Sequence, residues 1–84
     1  MYYVYILRSE TQPDQTYIGS THDLRARRAQ HNSGKSIHTN KFKPWSLLAY
    51  VALPEKELAE KLEKYLKGGS GRAFAAKHFL NTRG

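Results

Sequence analysis

Six consecutive residues, Tyr2-Tyr3-Val4-Tyr5-Ile6-Leu7, are aromatic, β-branched or leucine. Residues of this kind favour extended backbone. Successive side chains on a strand point to opposite faces, so both faces of this one are apolar or aromatic. That suits a strand covered on two sides. An 84-residue chain has room for one modest core, which predicts a single domain over 1–84. There is no cysteine, so neither disulfides nor thiolate metal sites are open to it. Packing must supply the stability.

The rest of the chain supplies the cover. Ser9 to Gln15 reads as a polar loop with a Pro13-Asp14 turn signal. Thr16-Tyr17-Ile18 reads as a second strand, ended by Gly19. An antiparallel hairpin of these two strands would put Tyr5 roughly opposite Tyr17, side by side on one face. Ser20-x-x-Asp23 fits a capping pattern with Ser20 as N-cap, predicting a helix from about Thr21 to Asn32 that stops before Gly34. Arg27 and His31, four apart, share a face of it. Gly34 to Pro44 is a basic loop, and Trp45 to Leu53, closed by Pro54, reads as a third strand. Lys56 to Lys67 is the clearest helix, with Leu58, Ala59, Leu62, Tyr65 and Leu66 as its apolar stripe. Glu63 falls at the edge of that stripe, about 100° from its middle. Gly68-Gly69 ends the helix, and Ser70 can cap a last one from Gly71 to about Leu80, with Phe74 and Phe79 turned inward. The expected class is α/β (α+β), a three-stranded antiparallel sheet flanked by helices.

The net charge is +7, and its distribution is uneven. The four acidic side chains of residues 55–67 are cancelled by four basic ones, while residues 68–84 add three basic residues and no acid. A basic surface beside a neutral helix suits a polyanion, with nucleic acid first among the candidates. The bland alternative is a basic protein with no such role. No apolar run approaches the ~20 residues of a membrane span, and the apolar start lacks a basic leader and a cleavage site. The expectation is a soluble cytoplasmic protein.

Hydrolysis of a phosphodiester needs an activated water, stabilised charge on the pentacovalent phosphate and help for the leaving oxygen. A divalent metal can serve the last two. The chain has no clustered carboxylates for a two-metal site. A one-metal site on Glu63 suits Mg²⁺ or Mn²⁺, which keep much of their hydration shell. The spacing of Val4-Tyr5-Ile6, Tyr17-Ile18-Gly19, Arg27, His31 and Glu63 resembles the GIY-YIG nuclease family. It looks closest to the small single-domain bacterial members. The resemblance covers nearly the whole chain and implies a divalent-metal-dependent DNA endonuclease of low intrinsic sequence specificity, selective for structure or single strands in repair or recombination. It implies one Mg²⁺ or Mn²⁺ ion and a DNA partner, single-stranded, branched or duplex, with a protein partner as a source of specificity.

The resemblance also implies roles. Tyr17 is the expected general base, with Tyr5 holding the water or sharing its proton. A free phenol ionises near pH ~10, so positive charge must stand beside a catalytic one; Arg27 and the metal are candidates. Arg27 offers a planar fork to the phosphate, His31 orients a tyrosine or supplies a proton, and Glu63 holds the metal. Each has an ordinary alternative: half-buried packing for the tyrosines, solvation for Arg27, a helix C-cap for His31, and an i,i+4 pair with Lys67 for Glu63. Two departures stand out: Tyr3 replaces the first-motif glycine, and Ser20 stands where some members carry lysine. A late site residue, asparagine in many members, falls on Asn81, Ser70, Arg72 or nothing. The expected DNA-binding surface is Arg25, Arg28, Lys35, His38, Lys41, Lys43, Arg72 and Lys77. Such residues hold phosphate without reading sequence. Trp45 and Tyr50 are expected in the core rather than stacked on bases. A non-catalytic nucleic-acid-binding module and a protein-interaction module are the rival readings.

Overall fold

The computed structural model describes residues 1–34, 39–69 and 71. Elements follow in the order β1 (Tyr2–Ser9), β2 (Thr16–Thr21), α1 (Leu24–Ser33), a 3₁₀ turn at Asn40–Phe42, β3 (Trp45–Leu53) and α2 (Lys56–Lys67). The three strands form one antiparallel sheet in the order β2-β1-β3. This is the α+β class expected, and the doubly apolar β1 is the central strand.

The two faces of β1 build two clusters. Val4 and Ile6 join Ala59 and Leu66 of α2, with Ile18, Leu53 and Leu62 packed alongside. Tyr5 and Leu7 join Trp45, with Tyr17, Leu24 and Phe42 around them. Helix α2 therefore covers one face and α1 the other. Trp45 is in the core as expected, and its indole Nε1 donates to the Thr39 carbonyl at 2.9 Å. A register shift between Ile6 and Leu7 on the β3 side marks a bulge.

Several expectations need correction. Tyr5 lies opposite Gly19, and Tyr17 lies opposite Leu7. The tyrosines still share a face, because a two-residue offset keeps strand parity. Gly19 does not end β2. Ser20 and Thr21 pair with Val4 and Tyr3, since the length of β1 offers ladder partners that far. With Ser20 held in the sheet, the cap passes to Asp23, whose Oδ1 accepts from the Ala26 N–H at 3.0 Å. A carboxylate there also complements the helix dipole. The helix starts at Leu24, and Gly34 ends it at φ 85°, a left-handed position suited to glycine.

Tyr50 is not in the core. It stands 53 % exposed on the edge strand β3, edge-on to Tyr3. Leu58 and Tyr65 are exposed too, so the buried stripe of α2 is narrower than its sequence implies. Beyond Gly71, the helix expected over 71–80, with Phe74 and Phe79, lies outside the described residues.

Candidate active site

Tyr5 and Tyr17 meet His31 on the α1 face of the sheet. The Tyr5 hydroxyl and His31 Nε2 share a hydrogen bond of 3.0 Å, and His31 Nδ1 lies 2.7 Å from Thr39 Oγ1. A neutral imidazole has one donor and one acceptor. The two hydroxyls, each able to play either part, satisfy both nitrogens. His31 is 2 % exposed, so its role is not that of a surface helix cap. The Tyr17 ring stacks at a tilt on His31, with centroids 4.8 Å apart, and lies 6.2 Å from Tyr5.

Gly19 makes room for this cluster. A Cβ at that position would stand 2.5 Å from the Tyr5 hydroxyl oxygen and 3.1 Å from the Tyr17 ring. The glycine is required for close approach and not for an unusual dihedral.

Burial pushes the Tyr5 phenol well up, with Tyr17 and Glu63 adding to the effect and Arg27 opposing it. Tyr5 therefore keeps its proton at neutral pH. Burial, then the Arg27 charge, lowers His31, which keeps the ring neutral. Tyr17 is half-buried, and its hydroxyl has no hydrogen-bond partner among the described residues.

Glu63 comes from the other helix. Ser20 Oγ donates to its Oε1 at 2.6 Å, and Lys67 Nζ donates to its Oε2 at 2.8 Å. Partial burial alone would raise its carboxyl. The hydrogen bonds from Lys67 and Ser20, helped by the charges of Lys67 and Arg27, hold it below its ordinary value instead. The Lys67 ammonium also lies 5.9 Å from the Tyr17 ring centroid. Arg27 is exposed on α1, and its charge acts on Tyr5, His31 and Glu63 alike. Arg27 and Ser20 line a groove of about 620 Å³ between the helices, with Gln30, Ala59 and Glu60 on its walls.

Among the described residues no group of three or more His, Cys, Asp or Glu is arranged to hold a metal. The donor set at this centre is one ionised carboxylate. That fits a hard divalent ion that keeps most of its waters and takes further ligands from a phosphate.

Of the five expected residues, Tyr5, Tyr17 and His31 touch one another, Glu63 is linked to Tyr17 through Lys67, and Arg27 acts on Tyr5, His31 and Glu63 by its charge. Thr39, Ser20 and Lys67 were not singled out from the sequence as site residues. Ser20 follows Ile18 by two and so faces α2 with it, a signal that was available. Thr39 carries no local signal.

The expected phosphate-binding set is divided. Arg25 and Arg28 line a separate depression of about 390 Å³ with Leu24, Asn32 and Leu47. Arg28 Nε donates to the Trp45 carbonyl at 3.4 Å. Lys41 and Lys43 are exposed near the end of α1, with Lys41 over the Phe42 ring. Lys35, His38, Ser70, Arg72, Lys77 and Asn81 lie outside the described residues.

The class so defined is a small α+β domain with an aromatic and charged centre at one edge of its sheet. The profile of the GIY-YIG catalytic domain matches residues 1–77. The chain is 38% identical over 80 residues to the UPF0213 protein Reut_B5558 of Cupriavidus pinatubonensis, covering 90% of this chain and 87% of that protein. The solution NMR structure of the UPF0213 protein BH0048 from Bacillus halodurans superimposes with a TM-score of 0.53 at 35% identity, covering 92% and 82%. The structure-specific endonuclease subunit SLX1 of Candida dubliniensis is 36% identical over 87 residues, 95% of this chain and 29% of that protein. The chain thus spans under a third of that relative. It belongs to the GIY-YIG family, a family of nuclease catalytic domains, and has small bacterial relatives.

Proposed function

We propose that residues 1–84 form one domain that hydrolyses DNA phosphodiesters with the help of one divalent ion, Mg²⁺ or Mn²⁺. The observation that carries this reading is the convergence of Tyr5, Tyr17 and His31 beside a carboxylate held ionised at the same sheet edge. In this reading Tyr17 acts as general base either as its phenolate, taking up the proton of the attacking water and becoming the neutral phenol, or through a bound water. Half-buried, with a hydroxyl that has no hydrogen-bond partner among the described residues, it suits that part better than Tyr5, which is buried and hydrogen-bonded to His31. Tyr5 and His31, anchored by Thr39, fix the Tyr17 ring. Arg27 presents its guanidinium to the scissile phosphate from the groove wall. Glu63 holds the ion, which when bound would neutralise charge on the phosphate and on the leaving 3′-oxygen.

The domain carries phosphate-binding side chains, and no base-reading element occurs among the described residues. Low sequence specificity is part of the same proposal, because phosphate contacts carry no sequence information. The SLX1 relatives are named structure-specific endonuclease subunits, which supports a structured DNA substrate, branched or single-stranded, and a protein partner that adds specificity; a role in repair or recombination is part of the same proposal. No helix among the described residues is long and apolar enough to cross a membrane.

The test is to incubate wild type, Tyr17→Phe and Glu63→Ala with single-stranded, duplex and branched DNA in Mg²⁺, Mn²⁺ or EDTA. Metal-dependent cutting by the wild type alone is the expected result. Three folded proteins that behave alike would sink the assignment. Salt-dependent DNA binding without cutting would then favour the non-catalytic module.

A further inference from the structure

Both oxygens of Glu63 are already occupied by protein donors, and one of them is a cation. Lys67 Nζ sits at 2.8 Å from Oε2, where an ion's positive charge would be wanted. A divalent ion bound directly to that carboxylate must compete with the ammonium. Ser20 leaves a different constraint: it donates to Oε1 and holds the carboxylate against β2 whichever cation is present.

The displaced ammonium has a second place to go. Lys67 is half exposed at the last turn of α2, on a flexible four-carbon stem. Its Nζ already lies 5.9 Å from the Tyr17 ring centroid. An ammonium over an aromatic face is attracted by the ring quadrupole. From this one place, in contact with the carboxylate and near the ring, a rotation of the stem away from Glu63 would leave the ammonium on Tyr17.

We infer that Lys67 is a two-position residue of this site: it holds Glu63 while no metal is bound, and moves fully onto the Tyr17 ring when a divalent ion takes the carboxylate. Lys67 thereby tunes metal affinity and delivers positive charge to Tyr17 in the loaded state. It is a positioning residue. The inference rests on the reading of Glu63 as the ion's ligand.

The test is an NMR titration with Mg²⁺ of the wild type, Lys67→Gln, Lys67→Arg and Glu63→Gln, following the Lys67 ε-methylene and the Tyr17 ring. Ring currents shift protons over an aromatic face upfield. In the wild type the ε-methylene should move upfield in step with the Tyr17 resonances, with a single Kd. Lys67→Gln removes the competitor and should bind Mg²⁺ about two- to fivefold tighter, the range that one partly exposed ion pair allows. Lys67→Arg should bind close to the wild type. An unchanged Kd in Lys67→Gln, or an ε-methylene that does not move upfield on saturation, overturns the inference. Glu63→Gln that binds Mg²⁺ as tightly as the wild type overturns the metal assignment itself, a separate result. None of these readouts depends on cleavage.

Discussion

The two halves of the site are held in place by different physics. On the α1 face, Tyr5, His31 and Thr39 form a buried chain of hydrogen bonds whose geometry is fixed by packing. At the β2 edge, Glu63, Ser20 and Lys67 form a partly exposed cluster fixed by charge and by one hydroxyl. Packing gives a geometry that salt and metal barely alter. A charge cluster is soft and can exchange one cation for another. The proposed mechanism, which needs a positioned tyrosine and an admitted ion, uses both. The same contrast says that damage to one half should unfold or distort, while damage to the other should silence.

Glu63→Ala should give the largest separation of the two. It removes the carboxylate to which the ion is assigned, so metal-dependent cutting should fall to background. Stability should change by less than about 1 kcal/mol, because the pair with Lys67 is partly exposed. Paired cleavage assays and urea melts check this. Loss of both fold and activity would mean that Glu63 is structural.

Gly19→Ala attacks the packed half. The new methyl meets the Tyr5 hydroxyl oxygen at 2.5 Å, so Tyr5 or β2 must shift. Overpacking of this kind costs about 1–3 kcal/mol. Cleavage should drop by at least about tenfold through misplaced tyrosines, since small displacements of reacting groups are costly. Mg²⁺ affinity measured by titration should stay within a factor of about two if the halves are independent.

How much of this was legible follows the same division between local and non-local causes. The span Trp45–Leu53 was readable because Pro54 closes an apolar run, and Lys56–Lys67 because its stripe has helical period and Gly68 follows. The tyrosines' shared face was readable from parity alone. Their register was not, because it depends on how the Ser9–Gln15 loop folds: Ser9 N–H donates to the Gln15 carbonyl at 3.0 Å. Ser20 reads locally as a cap, yet a sheet partner claims it. Tyr50 reads as core, yet β3 lies at the sheet's edge and neither helix covers that position. Thr39 could not be found at all, since only the tertiary fold brings it to His31.

Thr39→Val tests the anchor of the packed half with a near-isosteric change. It leaves His31 Nδ1 buried without its partner, at a cost of about 1–3 kcal/mol. The Tyr5–His31 contact should loosen, which side-chain NMR of His31 can follow. Metal affinity should be untouched. A stability equal to wild type would mean that water replaces the hydroxyl.

The smallest effect, and the one that distinguishes the halves most cleanly, is their pH dependence. His31 in the fold lies below its ordinary value of 6.5, so as pH falls the unfolded chain takes up this proton first. Its contribution to stability is therefore complete above about pH 6.5 and is lost as pH falls from there toward the lowered folded value. Glu63 also lies below its ordinary value, 4.5. Its contribution is present above that pH and is lost only as pH falls further. Two windows follow, the upper belonging to the packed half and the lower to the charged one. Urea midpoints measured from pH 7.5 to 3.5 should decline in both. His31→Gln should flatten the upper decline and spare the lower, and Glu63→Gln should do the reverse. The lower decline should also weaken in high salt, which screens an exposed pair far more than a buried ring. If His31→Gln leaves the upper decline in place, the imidazole is not held neutral by the fold, and packing alone does not set that half of the site.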